Sequence, residues 1–511
     1  MSRPAAARRL PPVAFRATAA AGDGGDAVAL AEAFYELHAD PRVMAPDAQV
    51  NVWLDEPDEP LGAADLLLVG GDGLPLRRSD VLVDAVLRAL PEVEVALADP
   101  HGSIVARGWV ARLRSVAATC AAARRVAGPL TVQAFAGVCA PLPDGGWAPV
   151  GGHGPGRSPG WRARLADAAG LARFAGRLAR ASVTVREWAC APVSEPGFGR
   201  VPVTQLGTRI QLAGAWQNGR ADRFWADPCL VAAEGGWLFV EELNRRTGLG
   251  AIRALQVRGE LLVPGQVVLS TDHHLSFPQL YRVGERWLAT VETCRDHQPI
   301  YECAKLGEPW TEAADLPLLP PGLADPVLVW PPGGDAAAGL AGLRLVATHA
   351  GTDPDAVLVA FDYDAGERRW IADPAAVQVD VRRTRGGGTL DAQRGERAVQ
   401  DCAGTYGRAF ELTSWPSGSV PRGGQRRWAA DALRGGRRRR IQGIHTLTWA
   451  VRGVSADPVA AEAAPWIDGW RRRISPLGGY LRLVERRHSA SCDGGARVGS
   501  DEPAPSSTVL G

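Results

Sequence analysis

The chain is poor in lysine and in net charge, and it has no long apolar run. Lys305 is the only lysine among 511 residues, so lysine-based mechanisms are excluded from most of the chain. Its 57 basic and 56 acidic side chains leave a formal charge of +1, which argues against a nucleic-acid-binding protein. No stretch approaches the roughly 18 uncharged apolar residues of a membrane span, so no transmembrane segment is expected.

The eight cysteines are scattered, and none forms a CxxC pair. This spacing argues against zinc ribbons and redox dithiols, and we expect neither a metal nor a cofactor. Isolated cysteines are typical of buried side chains in a reducing compartment, which predicts a cytoplasmic location. The opening residues 1–26 carry arginines but no sustained apolar core, which favours an unstructured start over a secretory signal.

Residues 1–195 alternate helical patterns with short apolar runs. The helical spacing occurs in 81–90, 110–127 and 161–181, and the apolar runs occupy 64–71, 93–99 and 129–138. Strands that alternate with helices predict a small α/β domain. The Pro/Gly-rich segment 139–160 predicts an exposed loop.

After about residue 200 the helical spacing gives way to an internal repeat. The segments 226–243, 275–293 and 324–350 each predict a strand, a turn and a strand, and a further strand follows each of them. Their prolines Pro228, Pro278 and Pro326 stand 50 and 48 residues apart. A period near 50 residues built of short strands is typical of propeller blades.

Two further repeats complete the predicted ring. Residues 384–414 form a divergent fourth copy, and 443–451 with 479–487 supply a fifth, while 208–216 offers a closing strand. The predicted fold class is therefore mainly β, a five-bladed β-propeller over 205–487 preceded by a smaller α/β domain. The tail 488–511, rich in Ser, Ala, Gly and Pro, is expected to be disordered.

The innermost strands of a propeller line a central channel, so equivalent residues of different blades meet at one mouth. Asp227, Ser276 and Asp325 stand at or near equivalent places beside the repeated prolines. Two carboxylates and a hydroxyl there could bind sugar hydroxyls, hold a cation or divide acid and base roles. The alternative is a structural Asp-Pro turn whose carboxylate accepts backbone N–H groups.

A second set of candidates lies at the end of the following strand in each repeat. Its members are Glu241, Glu242, Glu292, His349 and Asp401. Glu292 precedes the polar loop TCRDHQPIYE, where a half-buried carboxyl group would have a raised pKa and serve as an acid. A solvated strand end is the alternative for Glu292. Asp401 lies in the polar run Gln400–Cys402, which indicates a site wall rather than plain core.

His274 precedes the second repeat, and His445 begins the fifth. Histidines at one mouth can bind substrate, although a lone propeller histidine is more often a hydrogen-bonded core residue. The stretch Arg422–Arg440 is rich in arginine and contains Trp428. It is typical of a solvated loop, with contact to an anionic phosphate or lipid headgroup as the alternative.

The order of several short motifs resembles a known family. The runs RFWADPCL, GGWLFVEE, HHLSFPQL, ADPVLV, VQDCAGTYG and GIHTLTWA resemble the N-terminal domain of glucosamine inositolphosphorylceramide transferases and their bacterial relatives. That domain is similar to the five-bladed propellers of the arabinanase and fructosidase glycosidase clan. Residues 1–195 resemble the degenerate formyltransferase-like region found before this propeller in some bacterial relatives.

The resemblance implies roles for particular residues. In the glycosidase clan an Asp of the first blade acts as base or nucleophile, a second Asp tunes its pKa, and a Glu is the acid. Asp227 matches the first position, Asp325 the second and Glu292 the acid. The remaining candidates, for binding substrate, are His274, Ser276, Asp401, His445 and Arg385. Arg385 lies in TRGGG, where relatives commonly have an Arg-Pro-Ala-Gly type segment.

Three functions stay open at this point. The first is a carbohydrate-active propeller that acts on or recognises a glycan or glycoconjugate, by hydrolysis or transfer if it is catalytic. The second is a non-catalytic glycan-binding propeller that partners a separate glycosyltransferase. The third is a formyl- or acyl-transferase remnant in residues 1–195 with an accessory propeller.

Overall fold

The structure is a computed structural model, and it describes most of the chain between residues 10 and 474. The described residues are 10, 12–18, 24–38, 50–57, 60–62, 65–76, 78–138, 160–182, 184–194, 209–219, 222–293, 295–330, 340, 342–391, 395–414, 426–429, 433–434, 443–449 and 466–474. The predicted loop over 139–159, strand over 479–487 and tail over 488–511 lie outside these ranges. Within them, no helix combines the length and apolar character needed to cross a bilayer.

The first part of the chain contains a five-stranded sheet with helices packed against it. Its strands, in sheet order, are β1 (Val13–Arg16), β2 (Val50–Trp53), β3 (Asp65–Gly70), β4 (Glu92–Ala98) and β5 (Ile104–Ala111). The β1–β2 and β2–β3 pairs are parallel, and the β3–β4 and β4–β5 pairs are antiparallel. The helices are α1 (Gly24–His38), α2 (Asp80–Arg88), α3 (Val116–Arg125), α4 (Ala127–Gln133) and α5 (Gly160–Ser182).

Serine caps fix the starts of two predicted helices. Ser79 accepts a hydrogen bond from the backbone N–H of Leu82 in α2, and Ser115 accepts one from Ala118 in α3. Such caps satisfy N–H groups that the first helical turn leaves unpaired. Strand β1 and helix α1 show that the expectation of an unstructured start over 1–26 was wrong for part of this segment.

Residues 129–138 form helix rather than the strand that the apolar run predicts. Helix α4 continues directly into a π-helical turn over Ala134–Val138. Leu130, Val132 and Ala136 are all buried. A helix buried on every side has no polar face, so its sequence cannot be distinguished from a buried strand by periodicity.

Two strands precede the repeats, and four antiparallel blades follow in a propeller-like arrangement. The preceding strands are β6 (Thr184–Pro192) and β7 (Ile210–Gln211). The first blade contains β8 (Arg223–Val231), β9 (Trp237–Asn244), β10 (Gly250–Arg258) and β11 (Leu261–Leu269). The second contains β12 (Ser276–Val283), β13 (Arg286–Glu292), β14 (Tyr301–Cys303) and β15 (Thr311–Glu312).

The third and fourth blades follow the same order. The third contains β16 (Leu323–Val329), β17 (Arg344–His349), β18 (Val357–Asp364), β19 (Arg369–Ala372) and β20 (Gln378–Val379), with a 3-10 turn at Pro374–Ala376. The fourth contains β21 (Gly386–Asp391), β22 (Glu396–Asp401), β23 (Ala409–Ser414) and β24 (Arg426–Ala429). The hairpins predicted from the first four repeats are therefore present.

Three further strands complete the described chain: β25 (Leu433–Arg434), β26 (Gly443–Thr448) and β27 (Trp466–Ile474). Strand β26 pairs with β21 at Gly388 and Leu447, and β27 pairs with both β26 and β6. The segment 208–216, predicted as the closing strand, contributes β7, which pairs with β25, and a single antiparallel bridge from Leu212 to Val193, just after β6. Strand β27 pairs with β26 along one edge. Along its other edge it pairs with β6, which lies earlier in the chain.

The α/β part and the third blade share one hydrophobic core. Buried residues of α1 and α2 belong to the same cluster as Phe361 and Val379 of the third blade. The backbone N–H of Val381 donates to the carbonyl of Trp109 (2.9 Å), and the Arg382 guanidinium lies 4.2 Å from the Trp109 ring centroid. This packing brings α1 to one end of the blades.

Candidate functional site

The inner strands of the first three blades carry a β-bulge at the same place. In each strand the pairing register shifts across two residues, the second of which is a proline. The first bulged residue has a positive φ: Asp227 (48°), Phe277 (50°) and Asp325 (51°). Non-glycine residues rarely adopt this left-handed conformation, and bulges re-aim side chains beside functional sites.

This register corrects one sequence prediction. Phe277, and not Ser276, is the equivalent of Asp227 and Asp325 in the second blade. Ser276 instead lies opposite Glu292 on the neighbouring strand. The hydroxyl of Ser276 is thus one residue away from the position of the two carboxylates, although it lines the same cavity.

A cavity of about 670 Å³ opens where the inner strands meet. Eight of the sequence-derived candidates line it, and they are Asp227, Glu241, His274, Ser276, Glu292, His349, Arg385 and His445. Residues from four blades, from β26 and from α1 therefore converge on one space. The convergence expected from the repeat is present for these residues.

The first acidic pair joins Asp227 to Glu241, which lines the cavity from β9. Glu241 lies opposite Ala226 across the β8–β9 ladder, and its carboxyl group makes a hydrogen bond with Asp227. Burial, together with the charge of Asp227, raises the pKa of Glu241 well above its usual range. Glu241 therefore carries the proton that the pair shares.

Asp227 is held as the carboxylate by groups from β26. Burial opposes its ionisation, but the charge of His445 and hydrogen bonds from His445 and Thr446 outweigh it and lower the pKa of Asp227. The Thr446 hydroxyl lies 3.1 Å from Oδ1 of Asp227, and Nε2 of His445 lies 3.2 Å from the same oxygen.

Both ring nitrogens of His445 have a hydrogen-bonding partner, Thr446 on one side and Asp227 on the other. Because the Thr446 hydroxyl donates to Asp227, its oxygen is left to accept from Nδ1 of His445, 3.2 Å away. With both ring nitrogens protonated, His445 would donate to Thr446 and to Asp227, and this charged form is the one that lowers the pKa of Asp227. The ring lies 4.2 Å, centroid to centroid, from the Trp188 ring of β6, and aromatic faces stabilise such a cation.

The second acidic pair joins Glu292 to Asp325, and Arg385 neutralises it. Asp325 makes a side-chain hydrogen bond with Glu292, and its backbone N–H donates to Oε2 of Glu292 (3.3 Å). Nε of Arg385 donates to Oδ2 of Asp325 at 2.9 Å, and Nη2 lies 3.6 Å from Oε2 of Glu292. Burial raises the pKa of Asp325 well above its usual range and outweighs the attraction of Arg385.

Arg385 is anchored on two more sides. Nη1 donates to Oδ1 of Asp355 at 2.8 Å, and the guanidinium lies 4.8 Å from the ring centroid of Tyr406. These neighbouring acids raise the pKa of Arg385 against the effect of its burial. Glu292 and Arg385 line the cavity, whereas Asp325 lies behind them, so Asp325 acts through its neighbours.

His274 supports the first pair from the side of the second blade. Its Nδ1 accepts a hydrogen bond from the backbone N–H of Gly250 (3.1 Å), which places the ring proton on Nε2. Nε2 lies 3.6 Å from Oε1 of Glu241. A neutral His274 is therefore aimed at the carboxyl group of Glu241.

Asp401 is not part of the cavity. It accepts from the backbone N–H of Ala403 (2.9 Å) and from Nε of Arg427 (2.8 Å), so its carboxylate caps a turn and forms an ion pair. Asp401 does not line this cavity, so its assignment to substrate binding stays a prediction. Glu242 likewise faces away from the cavity, toward Arg223 and Arg253.

Part of the arginine-rich stretch Arg422–Arg440 is described. Arg427 is engaged by Asp401, and Trp428 is buried against Phe410 with ring centroids 5.2 Å apart. Trp428 is therefore unable to offer a surface aromatic beside an anionic headgroup. The arginines over 435–440 and Arg422 lie outside the described residues.

Two features of the site were missed by the sequence interpretation. Glu241 was placed only among strand-end acids, although the alternation of side chains along β9 separates it from Glu242 and turns it to the face of Asp227. Helix α1 was missed entirely, and its residues Leu30, Ala33 and Leu37 line the cavity. Their spacing of three and four residues was the signal that could have identified it.

The described residues contain no cluster of three or more His, Cys, Asp or Glu side chains arranged to hold a metal ion. The four carboxyl groups of the two pairs are instead balanced by shared protons, by His445 and by Arg385.

No protein-family model and no curated protein matches this chain. Among solved structures, it is similar to a family 117 glycoside hydrolase of the marine bacterium Zobellia galactanivorans, with 10% identity, 50% of this chain and 88% of that chain covered, and a TM-score of 0.27. It is similar to an endo-arabinase of Bacteroides thetaiotaomicron, with 12% identity, 45% and 82% covered, and a TM-score of 0.28. It is also similar to TolB of Acinetobacter baumannii, with 12% identity, 91% and 94% covered, and a TM-score of 0.22. TM-scores this low do not indicate a shared function. The residues of the site are therefore the basis for inferring what the protein does.

Proposed function

We propose that this chain is a carbohydrate-active five-bladed propeller that cleaves or transfers a glycosidic bond. The observation that carries the proposal is the pairing of carboxyl groups on the cavity floor. Asp227 is ionised beside His445, and separate carboxyl groups hold protons within the same cavity. Glycosidic chemistry needs one carboxylate and one carboxylic acid on opposite sides of a bond.

The contacts between inner strands support a ring of five. Strand β8 packs against β12, β12 against β16, β16 against β21 and β21 against β26, and β26 returns to β8. Strands β26, β27 and β6 then form the fifth blade. On this assignment the propeller includes Thr184–Pro192 and extends to 474, instead of beginning at 205.

Asp227 is assigned as the base or nucleophile. Its carboxylate is buried, lines the cavity and accepts hydrogen bonds that favour its ionised form. A carboxylate needs these properties to attack an anomeric carbon or to activate water. His445 and Thr446 position it.

Glu292 is assigned as the acid. The hydrogen bond between Asp227 and Glu241 brings these two groups too close together to flank a glycosidic bond, which needs roughly 5–10 Å between carboxyl groups. Glu292 lines the cavity from the second blade, and Asp325, whose pKa is raised by burial, makes a hydrogen bond with it and can supply the proton that Glu292 delivers. Asp325 and Arg385 position Glu292, while Ser276 and His274 offer polar groups to sugar hydroxyls.

The test measures release of 4-nitrophenol by the full chain from a panel of 4-nitrophenyl α- and β-glycosides. Asp227→Asn and Glu292→Gln should each lower turnover by about 10²–10⁴-fold, the usual loss for a catalytic acid or base. Asp362→Asn is the matched control, because Asp362 lies on the outer part of the third blade, where it pairs with Arg344. Equal turnover by Asp227→Asn and the parent would contradict the assignment.

A second outcome separates catalysis from recognition. Binding of glycans without turnover, unchanged in Asp227→Asn, favours the non-catalytic glycan-binding function. The narrower resemblance to glucosamine inositolphosphorylceramide transferases stays a prediction, as does the formyltransferase-like origin of the α/β part.

A further inference from the structure

Helix α1 has two apolar faces, and only one of them is buried. Ala27, Ala31 and Phe34 are buried in the core that the α/β part shares with the third blade. Phe34 also borders the cavity, beside three further residues of α1 on its other face: Leu30, Ala33 and Leu37. We call these three residues the α1 stripe.

The α1 stripe faces the cavity, although its residues are apolar and partly exposed. Leu37 is 37% exposed, and scattered exposed leucines need no explanation. Three apolar residues at spacings of three and four lie on one helix face, however, and all three border one cavity. An apolar wall across from a floor of carboxylates, His445 and Arg385 divides the cavity by polarity.

The blades also contribute apolar side chains to the lining of the cavity. Leu243 follows Glu241 by two residues on β9, and Phe224 lies on β8 opposite Leu243. Both line the cavity, as does Leu323 of the third blade. The part of the lining that α1 supplies is thus entirely apolar, whereas the polar groups that can bind hydroxyls come from the blades and from β26.

A free sugar does not match this division, because a sugar ring presents hydroxyls around its whole edge. Burying unpaired hydroxyls against the α1 stripe would cost free energy. A cavity of about 670 Å³ is large enough for a drug-sized ligand that has both a sugar and an apolar group.

We propose that the cavity binds a glycoside with an apolar aglycone, the sugar on the acidic floor and the aglycone against Leu30, Ala33 and Leu37. This proposal rests on the proposed function and names its substrate class. On this proposal α1 helps to select the substrate, because it contacts the aglycone. The α/β part then forms one wall of the binding site.

The experiment compares methyl and hexyl glycosides of glucose, galactose, mannose and arabinose, in both anomers, by calorimetric titration of the full chain. Burying two of the five added methylenes is enough to make a hexyl glycoside bind about tenfold more tightly than its methyl partner. Leu37→Ser and Leu30→Ser should reduce this ratio to about threefold or less, with the affinity for methyl glycosides unchanged. Leu165→Ser is the matched control, since Leu165 is an exposed leucine of α5 away from the cavity.

The outcomes separate this proposal from the proposed function. A hexyl-to-methyl ratio near one in the parent, or a ratio kept in both stripe variants, overturns the aglycone site while leaving glycan binding intact. Failure of every methyl and hexyl glycoside to bind overturns both. If the ratio is near one and the stripe variants alone lower the melting temperature of the ligand-free chain, the stripe is covered by another part of the protein, and the proposal is wrong.

Discussion

Nε2 of His445 lies 3.2 Å from Oδ1 of Asp227, and this contact joins β26 to the inner strand of the first blade. Both side chains are almost fully buried. A buried carboxylate without a partner would take up a proton, so the charge of His445 is what keeps Asp227 ionised. The pKa of Asp227, the proposed base in the first blade, therefore depends on His445, which lies on β26 after the fourth blade.

His445→Gln should move the acidic limb of the pH–rate profile to higher pH. His445 lowers the pKa of Asp227 by its charge and by a hydrogen bond, so its removal raises that pKa. Turnover should fall most below neutral pH and recover partly as the pH rises. The measurement is kcat/KM against pH, with His297→Gln on the exposed loop as control. An unshifted limb would mean that His445 has only a structural role.

Glu241→Gln should retain most of the activity, whereas Glu241→Ala should not. Glu241 is assigned the shared proton, so a neutral amide can replace its carboxyl group and donate to Asp227 in the same way. Alanine would leave Asp227 and His274 without that partner. We expect kcat within about tenfold of the parent for the amide, and a loss of about 10²-fold for alanine. Equal losses in both variants would show that the ionised form of Glu241 is needed.

Gly386→Ala should destabilise the protein and disturb the second acidic pair. A Cβ atom at this position would lie 2.7 Å from Cβ of Asp325 and 3.1 Å from Cζ of Phe277. Relief of such overpacking costs about 1–3 kcal/mol of the free energy of unfolding. Chemical denaturation measures this cost. Gly176→Ala is the control because nothing lies within 4 Å of its added Cβ, and it should leave stability unchanged or slightly higher.

His38 and His349 should make the protein less stable on acidification below about pH 6.5, against the opposite effect of buried acids such as Glu241 and Asp325, whose pKa values are raised. Burial lowers the pKa of His38 to about 4 and that of His349 to about 3, and both rings contact Phe34 of α1. The unfolded chain binds protons near pH 6.5 and the folded chain does not. The contribution of these residues is therefore complete above pH 6.5 and is lost toward pH 4, by about 3 kcal/mol for His38.

Denaturation curves at several pH values between 4 and 7.5 check this dependence. His38→Gln and His349→Gln should each flatten the plot of unfolding free energy against pH. His297→Gln, on an exposed residue, should leave the plot unchanged. A difference in unfolding free energy between the parent and either variant that stays the same from pH 4 to 6.5 would contradict the prediction.

The repeat made much of the propeller predictable. Asp227 and Asp325 were identified because each precedes a proline that recurs about every 50 residues. Residues at the same place in successive blades of a propeller lie at the same end of the central channel. Glu292 and His445 followed from the same periodicity. Ser276 was assigned one residue out of place, because a bulge adds a residue that only the pairing register reveals.

Other elements gave no usable pattern. Helix α4 is apolar all round, and its buried environment removes the polar face that marks a helix. Strand β27 contains the run Trp466–Ile474, whose three consecutive arginines do not suggest a strand. The contact between α1 and the cavity joins residues far apart in the chain, and no local periodicity encodes such a distance.

Strand β6 has a practical consequence for anyone who divides this chain. Its nine residues, Thr184–Pro192, pair along their whole length with Trp466–Ile474, and Trp188 supplies an aromatic surface to His445. A fragment beginning near residue 205 would lose both the strand and the tryptophan, and would expose an unpaired edge able to recruit other chains. The two halves that sequence composition separates are thus interdependent, and a cut placed where the composition changes would remove Trp188 from the wall of the cavity.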